Sequence, residues 1–265
     1  MPILPSLMVN YENPLGPQWQ GEYAEEMPKF NGRLKVVTYN INFGLEIEQA
    51  ITEMTSFTPL QNADIVLLQE MDEEGTDQFA QALSYNYVYY PASIHSHGRN
   101  FGNAILAKWP LNDPEKILLP NRSFISRQMR IAVRATVQVE DTAVLVYCVH
   151  TEVYTSSRRH RNEQIVAVSR HIDAAHPYVI VGGDFNTVSG RSIKRLVNYM
   201  AEAGLERASK GAGPTVSKMK LTPSAADHIF ACGFRVYGRG AIKKAKASDH
   251  FPVWVELEKS ASTAV

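Results

Sequence analysis

Cysteine is nearly absent from this chain. Cys148 and Cys232 are the only two among 265 residues, too few for a disulfide framework. Each lies in an apolar run, LVYCVH and IFACGF, where a thiol reads as a small buried hydrophobe rather than a nucleophile or part of a zinc site. Also missing is any apolar run approaching the roughly 20 residues that span a bilayer. The start, Met1 to Asn10, lacks the basic residues and sustained apolar stretch of a secretory leader. The expectation is therefore a cytoplasmic protein, although a leader removed ahead of Met1 would leave the same sequence. Net charge is lacking too: 27 basic side chains balance 27 acidic ones, and an isoelectric point of about 7.1 argues against a protein that coats DNA through a general basic surface. With 45% hydrophobic and 20% charged residues, the composition excludes a disordered, collagenous or coiled-coil chain.

The balanced charge is unevenly distributed. Residues 1–132 carry 15 acidic and 9 basic side chains, a balance of −6, and residues 133–265 carry 12 and 18, a balance of +6. Part of the basic excess falls in two clusters, Arg158-Arg159-His160-Arg161 and Lys243-Lys244-Ala245-Lys246. Two readings are open: a solvated helix face and a solvated loop, or a basic rim that attracts a phosphate-bearing substrate.

Residues 1–33 are rich in Pro, Gly, Asn and Glu without periodicity and read as an extended arm, packed on the body or loose. From Leu34 the pattern changes. Short β-branched runs at Leu34–Ile41, Asp64–Gln69, Tyr87–Tyr90, Asn103–Ala107, Ile131–Val139, Ala143–His150, Tyr178–Val181, Asp227–Phe230 and Pro252–Leu257 read as strands, several covered on both faces. Helical stretches separate them at Glu46–Phe57, Thr76–Leu83, Arg158–Ala175 and Arg191–Ala203; the third spaces Ile165, Val168 and Ile172 as one buried stripe opposite an arginine-rich face. Early strands alternate with helices, whereas Ile131–His150 reads as a hairpin turned at Glu140-Asp141. The mixture predicts an α/β (α+β) fold of mixed sheets covered by helices, with one domain over 34–258 and a short tail at 259–265.

Polar side chains stand at the ends of those strands, where they stop or start. Asn40 lies near the end of the first, Glu70 ends the second, and His150 ends the LVYCVH strand. Asp184 and Asn186 follow VIVGG, Asp227 opens DHIF, and Asp249-His250 precede the last strand. A single polar strand end is a turn residue, but six of this kind make the set that a hard cation and a proton-transfer pair require. Glu70, Asn40 and Asp249 supply oxygen ligands suited to Mg²⁺ or Mn²⁺, with Ca²⁺ as a further candidate. Asp184 and Asn186, two residues apart, point to one side of an extended chain and suit the orientation of a water nucleophile. His250 and Asp227 form the candidate imidazole–carboxylate pair.

The ordered blocks VVTYNINFG, DIVLLQEMD, NFGNAILAKWPL, VYCVHTEV, VIVGGDFNT, AADHIFACGF and ASDHFPVWVEL are similar to those of the endonuclease/exonuclease/phosphatase superfamily, the deoxyribonuclease I-like fold. The resemblance implies a four-layer sandwich of two packed mixed β-sheets flanked by helices, with the site at one end of the sheets. It implies that Asn40 and Glu70 hold the metal with Asp249 nearby, and that Asp184 and Asn186 direct the attacking water. His250, oriented by Asp227, would contact the scissile phosphate. His150 matches a second histidine of the deoxyribonuclease and sphingomyelinase branches. Asn103 either faces the site, where it would contact substrate phosphate, or is a strand-start amide; Arg161, the other candidate for substrate phosphate, and Gln164 resemble family positions or lie on a solvated face. No tryptophan stands shortly before Asp227, and no long hydrophobic insertion is present.

The expected activity is metal-dependent hydrolysis of a phosphodiester or phosphomonoester, foremost by a nuclease-type phosphodiesterase. The expected partner is a phosphate-ester substrate, with nucleic acid among the candidates. A phospholipid, sphingomyelin or small phosphate-ester hydrolase is the alternative, and a non-catalytic binding module the remote one.

Overall fold

Continuous apolar runs demand that both faces of a strand be covered. The computed structural model, which describes residues 9–95, 98–124, 126–217 and 224–260, meets that demand with four layers. Its elements in chain order are β1 (Val9–Asn10), β2 (Trp19–Gly21), β3 (Arg33–Asn40), α1 (Ile47–Ser56), β4 (Ile65–Met71), α2 (Glu73–Leu83), β5 (Asn86–Ile94), β6 (Asn100–Ala107) and β7 (Leu111–Leu118). There follow β8 (Ile131–Val139), β9 (Thr142–His150), α3 (Arg158–His171), β10 (Val179–Asp184), α4 (Gly190–Glu202), β11 (Glu206–Arg207), β12 (Asp227–Cys232), β13 (Phe234–Ala241) and β14 (Val253–Lys259). One sheet runs β1-β5-β6-β4-β3-β14-β13, with β2 also on β5; the other runs β11-β12-β10-β9-β8-β7. Both are mixed: β3/β4 and β9/β10 are parallel, and the other pairs are antiparallel.

Side-chain alternation builds the layers. On β3, Leu34 and Val36 enter the core between the sheets, while Val37 and Tyr39 join Ile47, Met54 and Phe79 under α1 and α2. On β10, Ile180 faces the same inter-sheet core, while Val179 and Val181 pack with Ile165, Val168 and Leu196 under α3 and α4. Each such buried Val, Leu or Ile contributes about 1.5–3 kcal/mol. Cys148 is buried in the seam, where burial pushes its thiol up to about 12 and leaves it an unreactive packing group; Cys232 is half-buried. Gly182 and Gly183 let the layers close: a Cβ on the first would stand 2.5 Å from Leu67 Cδ1 and on the second 1.9 Å from the Val149 carbonyl oxygen.

Several boundaries differ from the sequence reading. The helix expected from Thr76 begins at Glu73, because Asp72 caps it by accepting the Gly75 N–H at 2.7 Å. The helix expected to reach Ala175 stops at His171, where Ile172 turns extended yet stays buried. The β8–β9 hairpin turns at Glu140-Asp141, as the sequence predicts. The strands β7 and β13 carry no apolar signature because each is a sheet edge, and β7 tolerates Pro114 there. The amino-terminal segment packs on the body from Val9: β1 and β2 pair with β5, and Lys116 Nζ donates to the carbonyls of Tyr11 and Gly16. Of the tail, residues 261–265 lie outside the described residues. Among the described residues, no helix is long and apolar enough to cross a membrane.

Candidate active site

Strand parity carries the polar residues into the seam. Thr38 and Asn40 continue the inward row of Leu34 and Val36, and Asp184 continues that of Ile180. In register, Asp184 lies between His150 of β9 and Asp227 of β12. Glu70 is the exception that parity alone would mislead, because Gln69 already faces inward, bonded to Thr38 and Cys148. A β-bulge resolves it: Gln69 pairs with Asn103 and Met71 with Gly102, leaving Glu70 as the extra residue at φ 62°. The bulge re-aims its carboxylate toward the seam.

The side chains meet at one end of the two sheets. Asn40 Nδ2 donates to Glu70 Oε1 at 3.1 Å and to Asp184 Oδ2 at 3.2 Å, while its oxygen accepts the Asn42 N–H at 3.0 Å. In this rotamer the amide steadies two carboxylates, and ligation of a cation by its oxygen would require turning it over. The Asn186 N–H donates to Asp184 Oδ1 at 2.8 Å, and Asn186 Nδ2 to Asp184 Oδ2 and the Thr151 carbonyl, each at 3.1 Å. The two residues do meet, but through a turn with Asn186 at φ 50° rather than along an extended chain. His250 Nδ1 lies 2.9 Å from Asp227 Oδ2, and its Nε2 lies 3.9 Å from Asp184 Oδ2. His150 Nε2 lies 3.7 Å from Glu70 Oε1 and 3.6 Å from Asp184 Oδ2.

Crowding sets the electrostatics. Burial raises the Glu70 carboxyl above the usual range against the bond from Asn40, and burial with the nearby Asp227 carries Asp184 up to about 7 despite His250. Burial disfavours charge on His250, yet Asp227, Asp184 and Glu70 outweigh it and lift the imidazole to about 10. Burial, Arg130 and His250 push His150 well below its ordinary value, so it is neutral. Burial thus disfavours the charged form of these carboxylates in the metal-free protein, and their oxygen donors suit a hard divalent cation. Asp184, Asp227 and His250 also offer three ligand atoms within 4.8 Å of one another. Two arginines tied to the cluster, Arg130 beside His150 and Arg161 near Asp184, each carry a buried Nε without a partner. Such orphans fit groups that become bonded when a ligand enters.

The remaining sequence candidates fall into three places. Asp249 is half-buried and close enough to Glu70 to raise its carboxyl. Asn103 is buried and spends its amide on the Ile131 carbonyl at 3.0 Å, tying one sheet to the other. Arg161 does not lie on a solvated face: it is buried, donates to the Val153 carbonyl at 3.0 Å and feels the Asp184 charge. Gln164 is buried as well, accepting the Glu152 N–H and donating to the carbonyls of Pro120 and Asn121.

Two residues escaped the sequence reading. Arg130, 5% exposed, places Nη1 3.3 Å from the His150 ring and lies over Phe101; no feature of SRQMRIAV marks it. Glu53 on α1 accepts the backbone N–H groups of Lys246 and Ala247 and the Tyr39 hydroxyl, holding the loop that leads to Asp249 and His250. Its place in the stripe Ile47, Ala50, Glu53, Met54 was the available signal, a carboxylate where the helix is otherwise apolar.

A family model described as "Endonuclease/Exonuclease/phosphatase family" matches residues 37–250. No curated protein matches the chain in sequence. Among solved structures it resembles an endonuclease/exonuclease/phosphatase from Beutenbergia cavernae, with 20% identity, a TM-score of 0.73, and coverage of 89% of this chain and 74% of that one. It is also similar to a mannosyl-6-phosphatase from Bacteroides thetaiotaomicron (20% identity, TM-score 0.66, 84% and 99% covered). A third likeness is to sphingomyelinase C from Streptomyces griseocarneus (16%, 0.63, 84% and 99%). At these identities the likeness is one of fold.

Proposed function

Because the chain belongs to the endonuclease/exonuclease/phosphatase family, whose enzymes hydrolyse phosphoric esters, we propose that it is a divalent-metal-dependent phosphodiesterase of the nuclease type. The observation that carries this reading is the convergence of Glu70, Asp184 and the Asp227–His250 pair at one end of the sheets, with Asn40 bridging two of the carboxylates. Glu70, with Asp249 beside it, would hold Mg²⁺ or Mn²⁺. The ion would neutralise a non-bridging phosphoryl oxygen and the charge that develops on the leaving oxygen. Asp184, fixed by Asn186, accepts the proton of a water whose oxygen attacks phosphorus as the bond to the leaving oxygen breaks. His250, kept protonated by Asp227, donates to the phosphoryl oxygen as charge builds there. Arg130 and Arg161 supply buried positive charge beside the same space.

The substrate class is tested with a panel: supercoiled plasmid, an abasic oligonucleotide, a 5′-tyrosyl oligonucleotide, sphingomyelin and bis(p-nitrophenyl) phosphate, each with Mg²⁺, Mn²⁺, Ca²⁺ or EDTA. The nuclease reading expects metal-dependent cleavage of a nucleic acid. It also expects that Lys243→Ala, Lys244→Ala and Lys246→Ala together lower that cleavage and flatten its salt dependence. Cleavage of sphingomyelin alone, or salt-independent turnover unaffected by the lysine changes, would replace it with the lipid or small-ester alternative.

A further inference from the structure

Beside the catalytic cluster the chemistry changes from charged to aromatic. Phe101 on β6 is 3% exposed and its ring centroid lies 5.7 Å from that of His150. From there rings continue outward: Phe43 lies 5.5 Å and His95 6.0 Å from Phe101, and Phe43 and His95 are 4.4 Å apart. These outer two are half-buried, so one side of the cluster reaches solvent.

The backbone under Phe43 is costly. Asn42, Phe43 and Gly44 stand consecutively at φ 48°, 62° and 61°, a left-handed run that glycine and asparagine accept and phenylalanine does not. A bulky aromatic residue there is an outlier, and such strain persists where the surroundings over-determine it, as they do at ligand sites. What determines it here is partly the catalytic cluster. Asn40 Oδ1 accepts the Asn42 N–H at 3.0 Å while the same amide donates to Glu70 and Asp184. The position of the Phe43 ring is thereby keyed to the carboxylates.

We propose that Phe43 and His95, backed by the buried Phe101 ring, form a stacking wall that receives a flat aromatic ring attached to the phosphate, an aryl or nucleobase group. The proposal rests on the phosphodiesterase reading for the location of the phosphate and adds what lies next to it. A ring laid against Phe43 trades water for a π-face and needs no base-specific hydrogen bond.

The test uses two non-hydrolysable anions, phenylphosphonate and methylphosphonate, titrated calorimetrically into the full chain with Mg²⁺. The wild-type protein should bind the phenyl compound about tenfold more tightly, an ordinary stacking gain. Phe43→Ala should bring the two affinities together while leaving that for methylphosphonate unchanged, and Phe43→Trp should keep the preference. Equal wild-type affinities, no binding of phenylphosphonate, or an equal loss for both compounds in Phe43→Ala would overturn the wall; the last would mean that Phe43 only packs. Hydrolysis of bis(p-nitrophenyl) phosphate is measured alongside. A phenyl preference without any turnover would count against the hydrolase reading and leave the wall standing.

Discussion

At the scale of single residues, His250 concentrates the electrostatics of the seam. Burial alone would strip its proton, yet three carboxylates hold it, with Asp227 at 2.9 Å. Its value in the folded chain, about 10, lies above the ordinary 6.5. The stability it contributes is therefore fully present below pH 6.5 and is lost as pH rises through about 10. In metal-free protein, imidazole proton resonances should show His250 still protonated at pH 8, and Asp227→Asn should bring its titration down toward neutrality. An unshifted titration in the wild type would contradict the account. The Asp227–His250 pair was legible in the sequence because each stands at the head of an apolar strand. Arg130 was not, since only the folded sheet brings it to the His150 ring. Asn103 shows the converse: an amide read as a strand start that lies inside β6 and is spent on joining two sheets.

At the scale of elements, two local devices place groups that strand parity or loop freedom would misplace. The bulge in β4 turns Glu70 into the seam, and no pattern in IVLLQEM announces it. Glu53 fixes the loop ahead of Asp249 from the buried side of α1, through two backbone N–H groups and the Tyr39 hydroxyl. Glu53→Ala would leave these donors unsatisfied, at about 1–3 kcal/mol each before water enters. Turnover should fall at least about tenfold with the loop misplaced, while Tyr39→Phe, which removes one bond, should cost about 1 kcal/mol and little activity. Urea unfolding and kcat measured on the two variants check this; a Glu53→Ala protein with wild-type kcat would remove the positioning role. The helices were legible to within a few residues because their apolar stripes are strong. The edge strands β7 and β13 were not, because a strand facing solvent on one side and lacking a neighbour need not be apolar.

At the scale of the whole molecule, the two sheets close one seam between them. The first sheet brings Asn40 and Glu70, and the second brings His150, Asp184 and Asp227. Of the basic excess in residues 133–265, Arg158, Arg159, Lys243, Lys244 and Lys246 are exposed, while Arg161 is buried. The four-layer architecture was legible because strands apolar on both faces need helices outside and a second sheet inside. Substrate choice was not, since it depends on which side chains from distant blocks share the rim. The central claim is that this seam hydrolyses phosphoric esters with a divalent cation. Its most direct test is hydrolysis of bis(p-nitrophenyl) phosphate by wild type, Glu70→Ala and His250→Ala, with Mg²⁺ and with EDTA, the fold of each checked by circular dichroism. The account predicts metal-dependent turnover in the wild type, abolished by EDTA and reduced at least about 10²–10³-fold in each folded variant. Turnover that survives EDTA, or a Glu70→Ala protein as active as the wild type, would contradict it.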